Sequence, residues 1–133
     1  MNIFDNGFIN LEYDPVIDVI YVIMPTVDRT DLPKVEQSLA IIVEHIKNFY
    51  IRNMLLDVRD AKVFINEKAY ASMISNFSRT LSDSHLQKMA RVVDERSLRE
   101  SIVHDIFIDK TLSLVTRSFT EVVPALEWLK EKR

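Results

Sequence analysis

The residues best placed to do chemistry are three charges at the end of an apolar run. Met54-Leu55-Leu56 leads straight into Asp57-Val58-Arg59-Asp60. Two carboxylates beside a guanidinium can do acid–base work where geometry and environment shift their pKa values. They can also bind an anion through Arg59. A second group follows, Ile65-Asn66-Glu67-Lys68, in which Asn66 is a good helix N-cap. The unbonded N–H groups of a helix starting there would add to an anion site. The plain alternative is structural: Asp57 braces the loop and Arg59 pairs with a carboxylate. Asp57, Arg59, Asp60, Asn66, Glu67 and Lys68 are therefore candidate partner- or ligand-binding residues, with both alternatives open.

Composition excludes much other chemistry. There is no cysteine, so disulfides, thiolate metal sites and thiol nucleophiles are ruled out. Gly7 is the one glycine. Phosphate-cradling loops and dinucleotide fingerprints need several, as does the Gly-x-Ser-x-Gly elbow. No cofactor is expected. The three imidazoles are His45, His85 and His104, and no two stand at i, i+4, so the zinc-helix spacing is missing. His104 and Asp105 on one helix would point about 100° apart. No metal set and no catalytic set emerges. An enzyme would need Asp57, Arg59 and Asp60 to meet a histidine in one cleft.

Net charge is −3 over 133 residues. Residues 1–60 carry ten acids and five bases, and residues 61–133 carry ten acids and twelve bases. Neither half is a basic patch for nucleic acid. Arg91, Arg96 and Arg99 are interrupted by Asp94 and Glu95, and read as a solvated face. No apolar stretch approaches the ~20 residues of a membrane helix. The start, Met1-Asn2-Ile3-Phe4-Asp5, has neither the basic nor the apolar region of a signal peptide. Together with the missing cysteine, this leads us to expect a cytoplasmic protein.

The elements that must position these residues follow from periodicity. Residues 8–14 alternate apolar and polar, Asp14-Pro15 marks a turn, and Val19 to Met24 is a β-branched run; together they predict an antiparallel hairpin. Thr30 or Asp31 can cap a helix with Pro33 in its first turn. Leu32, Val35, Leu39, Ile42, Val43, Ile46 and Phe49 share one helical face. The run Leu39 to Val43 is wider than one stripe, as in a helix wedged between sheet and neighbour, a dimer interface or the wall of an apolar pocket. Met54 to Leu56 predicts a short buried central strand. Ala69, Tyr70, Met73, Phe77 and Leu81 form the next stripe, and Lys88 to Val93 the next strand. Ser97 can cap a helix with Leu98, Ile102 and Ile106. A last strand lies within 112–119, before a helix carrying Val122, Ala125, Leu126 and Leu129. Pro124 requires that helix to start near Thr120 or Glu121. The expected fold is one α/β domain over residues 1–133. Its order is β-β-α-β-α-β-α-β-α, a mixed, mainly parallel sheet opened by an antiparallel hairpin.

This order resembles the STAS/SEC14-like family, whose fold is that of the bacterial anti-sigma-factor antagonists. The likeness runs from about Phe8 to Leu129. It rests on the hairpin ending in Tyr21-Val22-Ile23, on Leu55-Leu56-Asp57-Val58-Arg59 and on Phe64-Ile65-Asn66-Glu67. It continues through Ala90-Arg91-Val92-Val93, Arg117-Ser118-Phe119 and Ala125-Leu126-Glu127-Trp128-Leu129. The resemblance implies a regulatory module that meets a protein partner or a second copy of itself. Its SEC14-like side implies, as the alternative, a carrier of a small apolar or acyl ligand. In phosphorylatable antagonists an Asp-Ser-Ser-Gly type motif opens the helix after the third strand. Here the matching Ile65-Asn66-Glu67-Lys68 has no hydroxyl, so a phosphoserine switch cannot operate at that point. Glu67 supplies about one negative charge, against about 1.5 to 2 for phosphoserine.

Overall fold

The structure is a computed structural model that describes residues 2–5, 9–24, 32–59, 67–94 and 114–131, with side chains described for all of these but 32, 67–71 and 74. Six strands form one sheet: β1 (Asn2–Asp5), β2 (Asn10–Asp14), β3 (Val19–Ile23), β4 (Asn53–Asp57), β5 (Lys88–Val92) and β6 (Val115–Phe119). Three helices are described: α1 (Leu32–Phe49), α2 (Glu67–Ser82) and α3 (Val122–Lys130). The spatial order is the chain order, β1 to β6. The pairs β1–β2 and β2–β3 are antiparallel, and β3 to β6 run parallel. The expected mixed α/β sheet is present. It also carries a strand the periodicity did not predict: Asn2–Asp5 pairs outside the hairpin, with its register shifted between Asn2 and Phe4. The helix expected over Ser97 to Ile106 lies outside the described residues.

Both crossovers, β3-α1-β4 and β4-α2-β5, step the same way across the sheet. Crossovers of one hand then lay both helices on one face. There Val35, Leu39, Ile42, Val43 and Ile46 of α1 join Met73, Phe77 and Leu81 of α2. They cover Ile20, Val22, Met54, Leu56 and Met89 in one cluster. Ile41 is half-buried against the same cluster, and α1 also touches α2. Most of the wide apolar run is thus packed against the sheet and α2, while Ala40 stays exposed. Phe49 departs from the expected stripe. It is 55% exposed, because α1 ends there, and its ring lies 6.1 Å from that of His45.

The opposite face is covered by α3. Ala125 and Leu129 pack on Val19, Leu55, Ala90 and Val92. Pro124 falls in the first turn of α3, where the missing N–H breaks no helical bond. Lys88 is buried at the start of β5. Its Nζ donates to the carbonyls of Trp128 and Glu131, at 2.9 and 2.7 Å, and lies 5.1 Å from the Trp128 ring centre. It ties down the last carbonyls of α3, where the helix dipole favours a cation. Covered on both faces, β4 buries Met54, Leu55 and Leu56, and β5 is buried throughout. Arg91 corrects the sequence reading: it is 1% exposed in β5, not on a solvated face, and its Nη1 donates to Ser118 Oγ at 3.1 Å. Arg96 and Arg99 lie outside the described residues.

Candidate functional site

The carboxyl rim of the parallel sheet is built by hydrogen bonds that run one residue past each strand. Met24 N–H donates to Asp57 O, Val58 N–H to Val92 O and Val93 N–H to Phe119 O, at 3.0, 2.9 and 2.8 Å. This fixes the backbone from which Asp57 and Arg59 project. Asp57 accepts from Arg59 Nε at 3.1 Å and Nη2 at 2.8 Å, and also from the Arg59 backbone N–H at 3.1 Å. The fork is bidentate and closes a two-residue loop. Burial pushes the Asp57 carboxyl up. The Arg59 side-chain bond, its backbone bond and its charge together outweigh that, and hold the carboxyl below the usual range. Asp57 thus braces the turn, and Arg59 pairs with it. Ile23, the β3 partner of Asp57, stands 59% exposed beside the clamp.

None of the remaining candidate residues has a described side chain. Asp60 and Asn66 lie outside the described residues. Glu67 and Lys68 open α2, and their side chains also lie outside. His104 and Asp105 fall there too. His45 sits on α1, its Nδ1 2.9 Å from Ile41 O, a contact that needs the proton on Nδ1. Among the described residues, no group of three or more His, Asp or Glu is arranged to hold a metal. No helix among them is long and apolar enough to cross a membrane.

A second polar constellation stands at the opposite end of the sheet, and sequence reasoning missed it. Asp18, Arg52 and Gln87 each directly precede a strand, and those strands start in register at Val19, Asn53 and Lys88. Asp18 Oδ1 accepts from Tyr13 Oη at 2.8 Å and Oδ2 accepts from Arg52 Nε at 2.7 Å. Asn53 Nδ2 donates to Asp18 O at 3.0 Å. Burial, the bond to Asp18 and the Asp18 charge push the Tyr13 phenol up to about 12. Tyr50 and His85 face each other with ring centres 4.5 Å apart. With Pro15 and Gln87, these residues line an open cavity of about 420 Å³.

Backbone strain collects at the same place. Asp18 and Tyr50 have φ of 53° and 52°, and no other non-glycine residue described has positive φ. Tyr50 ends α1 in a Schellman turn. Ile51 N–H donates to Ile46 O at 3.0 Å and Tyr50 N–H to Lys47 O at 3.4 Å, while Ile46 and Ile51 are both fully buried. That left-handed position usually takes glycine. The available sequence signal was the step from Phe49-Tyr50 to a strand with no glycine between them.

A third feature is a groove of about 480 Å³ between α1 and α2. Leu39, Val43, Met73 and Phe77 form its floor, with Glu36 and Thr80 among the polar side chains lining it. No protein-family model matches the chain, and no curated protein is significantly similar to it.

Proposed function

We propose that this protein is a non-enzymatic, cytoplasmic interaction or regulatory module of the STAS/SEC14-like kind. It docks the carboxyl rim of its sheet and the connection from Asp57 to Lys68 against a protein partner, or against a second copy of itself. The observation that carries this reading is the Asp57–Arg59 clamp beside exposed Ile23. The two charges are engaged with each other and with the backbone, which favours a rigid, partly apolar edge over a reactive centre. Carboxyl ends of parallel strands are also where α/β sheets generally meet their ligands. The helix start carries Asn66 and Glu67 in place of a phosphoacceptor serine, so docking is not gated by phosphorylation there. No cofactor and no nucleic acid enters this reading. The test is crosslinking and native mass spectrometry of protein from its own cells. Ile23→Glu, and separately Arg59→Ala with Glu67→Ala, are expected to weaken the captured interaction by about tenfold, or 1.4 kcal/mol. Interactions left intact in both variants count against the proposal.

The groove between α1 and α2 supports a second reading, a carrier of a small apolar or acyl ligand. An added mass of a few hundred daltons, lost on denaturation and absent from a Phe77→Asp variant, is its expected signature in the same spectrum.

A further inference from the structure

We infer that the cavity at the amino ends of β3, β4 and β5 binds a small planar heteroaromatic molecule. Its ring, of the guanine or pterin kind, would lie against Tyr50 and present two adjacent hydrogen-bond acceptors to Arg52. Position comes first. Asp18, Arg52 and Gln87 are held by three strands that start in register, so the sheet fixes their spacing before any ligand arrives. Asp18 then orients the guanidinium: it takes only Nε of Arg52. The two terminal nitrogens keep their donors without a hydrogen-bond partner among the described residues. A guanidinium edge of this kind pairs with two neighbouring acceptors on a ring, as arginine does with the O6 and N7 of guanine. Gln87, exposed on the same rim, adds one amide donor and one acceptor.

The wall is aromatic. Tyr50 is 65% exposed and touches the His85 ring, which gives a planar ligand a face to stack on. The two left-handed non-glycine residues described, Asp18 and Tyr50, both line this cavity. Strain of that kind collects where side chains are held for a purpose. A volume of about 420 Å³ is within the ~300–1,000 Å³ of small-molecule sites.

Charge decides between a neutral ring and an anion. The charged residues that line the cavity are Asp18 and Arg52, one of each sign, and they are paired with each other. The Arg52 charge is thus already balanced by Asp18. Asp14 is close enough to act on Tyr13. A neutral ring with acceptors fits better than a phosphate or a carboxylate.

The test is a nuclear magnetic resonance titration of the full chain with guanosine, 7-deazaguanosine and inorganic phosphate. Guanosine is expected to give saturable shifts at Tyr50, Arg52, His85 and Gln87. 7-Deazaguanosine, which lacks one of the two acceptors, should bind about tenfold more weakly, a loss of about 1.4 kcal/mol. In Arg52→Lys, which keeps the charge and loses the fork, the two nucleosides should bind alike. Because Arg52 also bonds Asp18, Gln87→Leu and Tyr50→Gly provide variants at exposed positions, and each should weaken guanosine in a folded protein. Equal binding of the two nucleosides to the unaltered protein overturns the inference. So does phosphate binding more tightly than guanosine, or no saturable shift up to the solubility limit of guanosine.

Discussion

Tyr50 shows how one residue can work against the element it ends. The Schellman turn at the end of α1 satisfies its carbonyls and packs Ile51 on Ile46, yet it places a β-carbon at φ 52°. A left-handed conformation costs an ordinary L-residue roughly 1–2 kcal/mol, and glycine avoids it. Tyr50→Gly is therefore expected to stabilise the fold by about 0.5–1 kcal/mol, after the greater freedom of glycine in the unfolded chain is counted. Urea unfolding of both proteins measures it, and a lower midpoint for the variant would show that the Tyr50 ring holds the fold by more than its strain costs. Tyr13 makes a prediction in pH. Its phenol titrates at about 12 in the folded protein, against an ordinary 10.0. A group whose folded pKa is raised contributes stability that is full below the unfolded value and is lost as pH rises to the folded one. Stability should thus fall between pH 10 and 12. Asp18→Asn should flatten that fall without abolishing it, since burial is the largest cause and the Asp18 bond and charge come after it. Ultraviolet titration of the tyrosines, with unfolding followed at each pH, reads both effects. Beyond the missing glycine after Phe49-Tyr50, none of this was legible in the sequence. The residues come from the hairpin, the end of α1 and the turns before β4 and β5, and no spacing rule spans four connections.

At the scale of elements, the legible parts are those whose pattern is local. The β-branched run of β3, the stripes of α1 and α2 and the apolar core of β4 announce themselves within a few residues. Three misreadings have physical reasons. Strand β1 has four residues, and its identity depends on pairing with Asn10–Leu11 and Glu12, a non-local fact. Phe49 continues the α1 stripe in sequence, but the helix stops and the chain turns away at Tyr50. Arg91 looks like a surface cation, because alternation says nothing when both faces of a strand are covered. Lys88 belongs to the same class. Its ammonium donates to the carbonyls of Trp128 and Glu131 at the end of α3, so it joins that helix to the start of β5. Replacing it with methionine keeps much of the packing and leaves those carbonyls without their charged donor. The expected cost is about 1–3 kcal/mol. Hydrogen exchange should rise first in the last turn of α3, and uniform acceleration across all helices would refute a local clamp.

For the whole molecule, the two ends of the sheet do different things, and the sequence pointed to only one of them. At the carboxyl end, the expected Asp57 and Arg59 meet as a closed clamp beside Ile23. At the amino end, an unforeseen cavity gathers strain, aromatic rings and an exposed arginine held through its Nε. The two faces are also unequal. One carries α1 and α2, while among the described elements α3 covers the other over β4, β5 and β6 and reaches Val19 of β3. Over the antiparallel half, the second face keeps polar side chains on β2, with Asn10 opposite Ile23 and Glu12 opposite Tyr21, as a sheet wetted on one side does. Strand β1 closes that half. It pairs with β2 along its outer edge and lays Phe4 against His45 of α1, ring centres 5.7 Å apart. An uncovered edge strand offers a row of unpaired N–H and C=O groups to another chain. Deleting Asn2–Asp5 would open the edge of β2 and the flank of α1 together. The shortened protein is expected to lose about 1–3 kcal/mol through half-buried Ile3 and Phe4, and to self-associate with rising concentration. Analytical ultracentrifugation across a concentration series checks this. If the shortened chain sediments as the full-length one does at every concentration, β1 is an ornament on the sheet and not its seal.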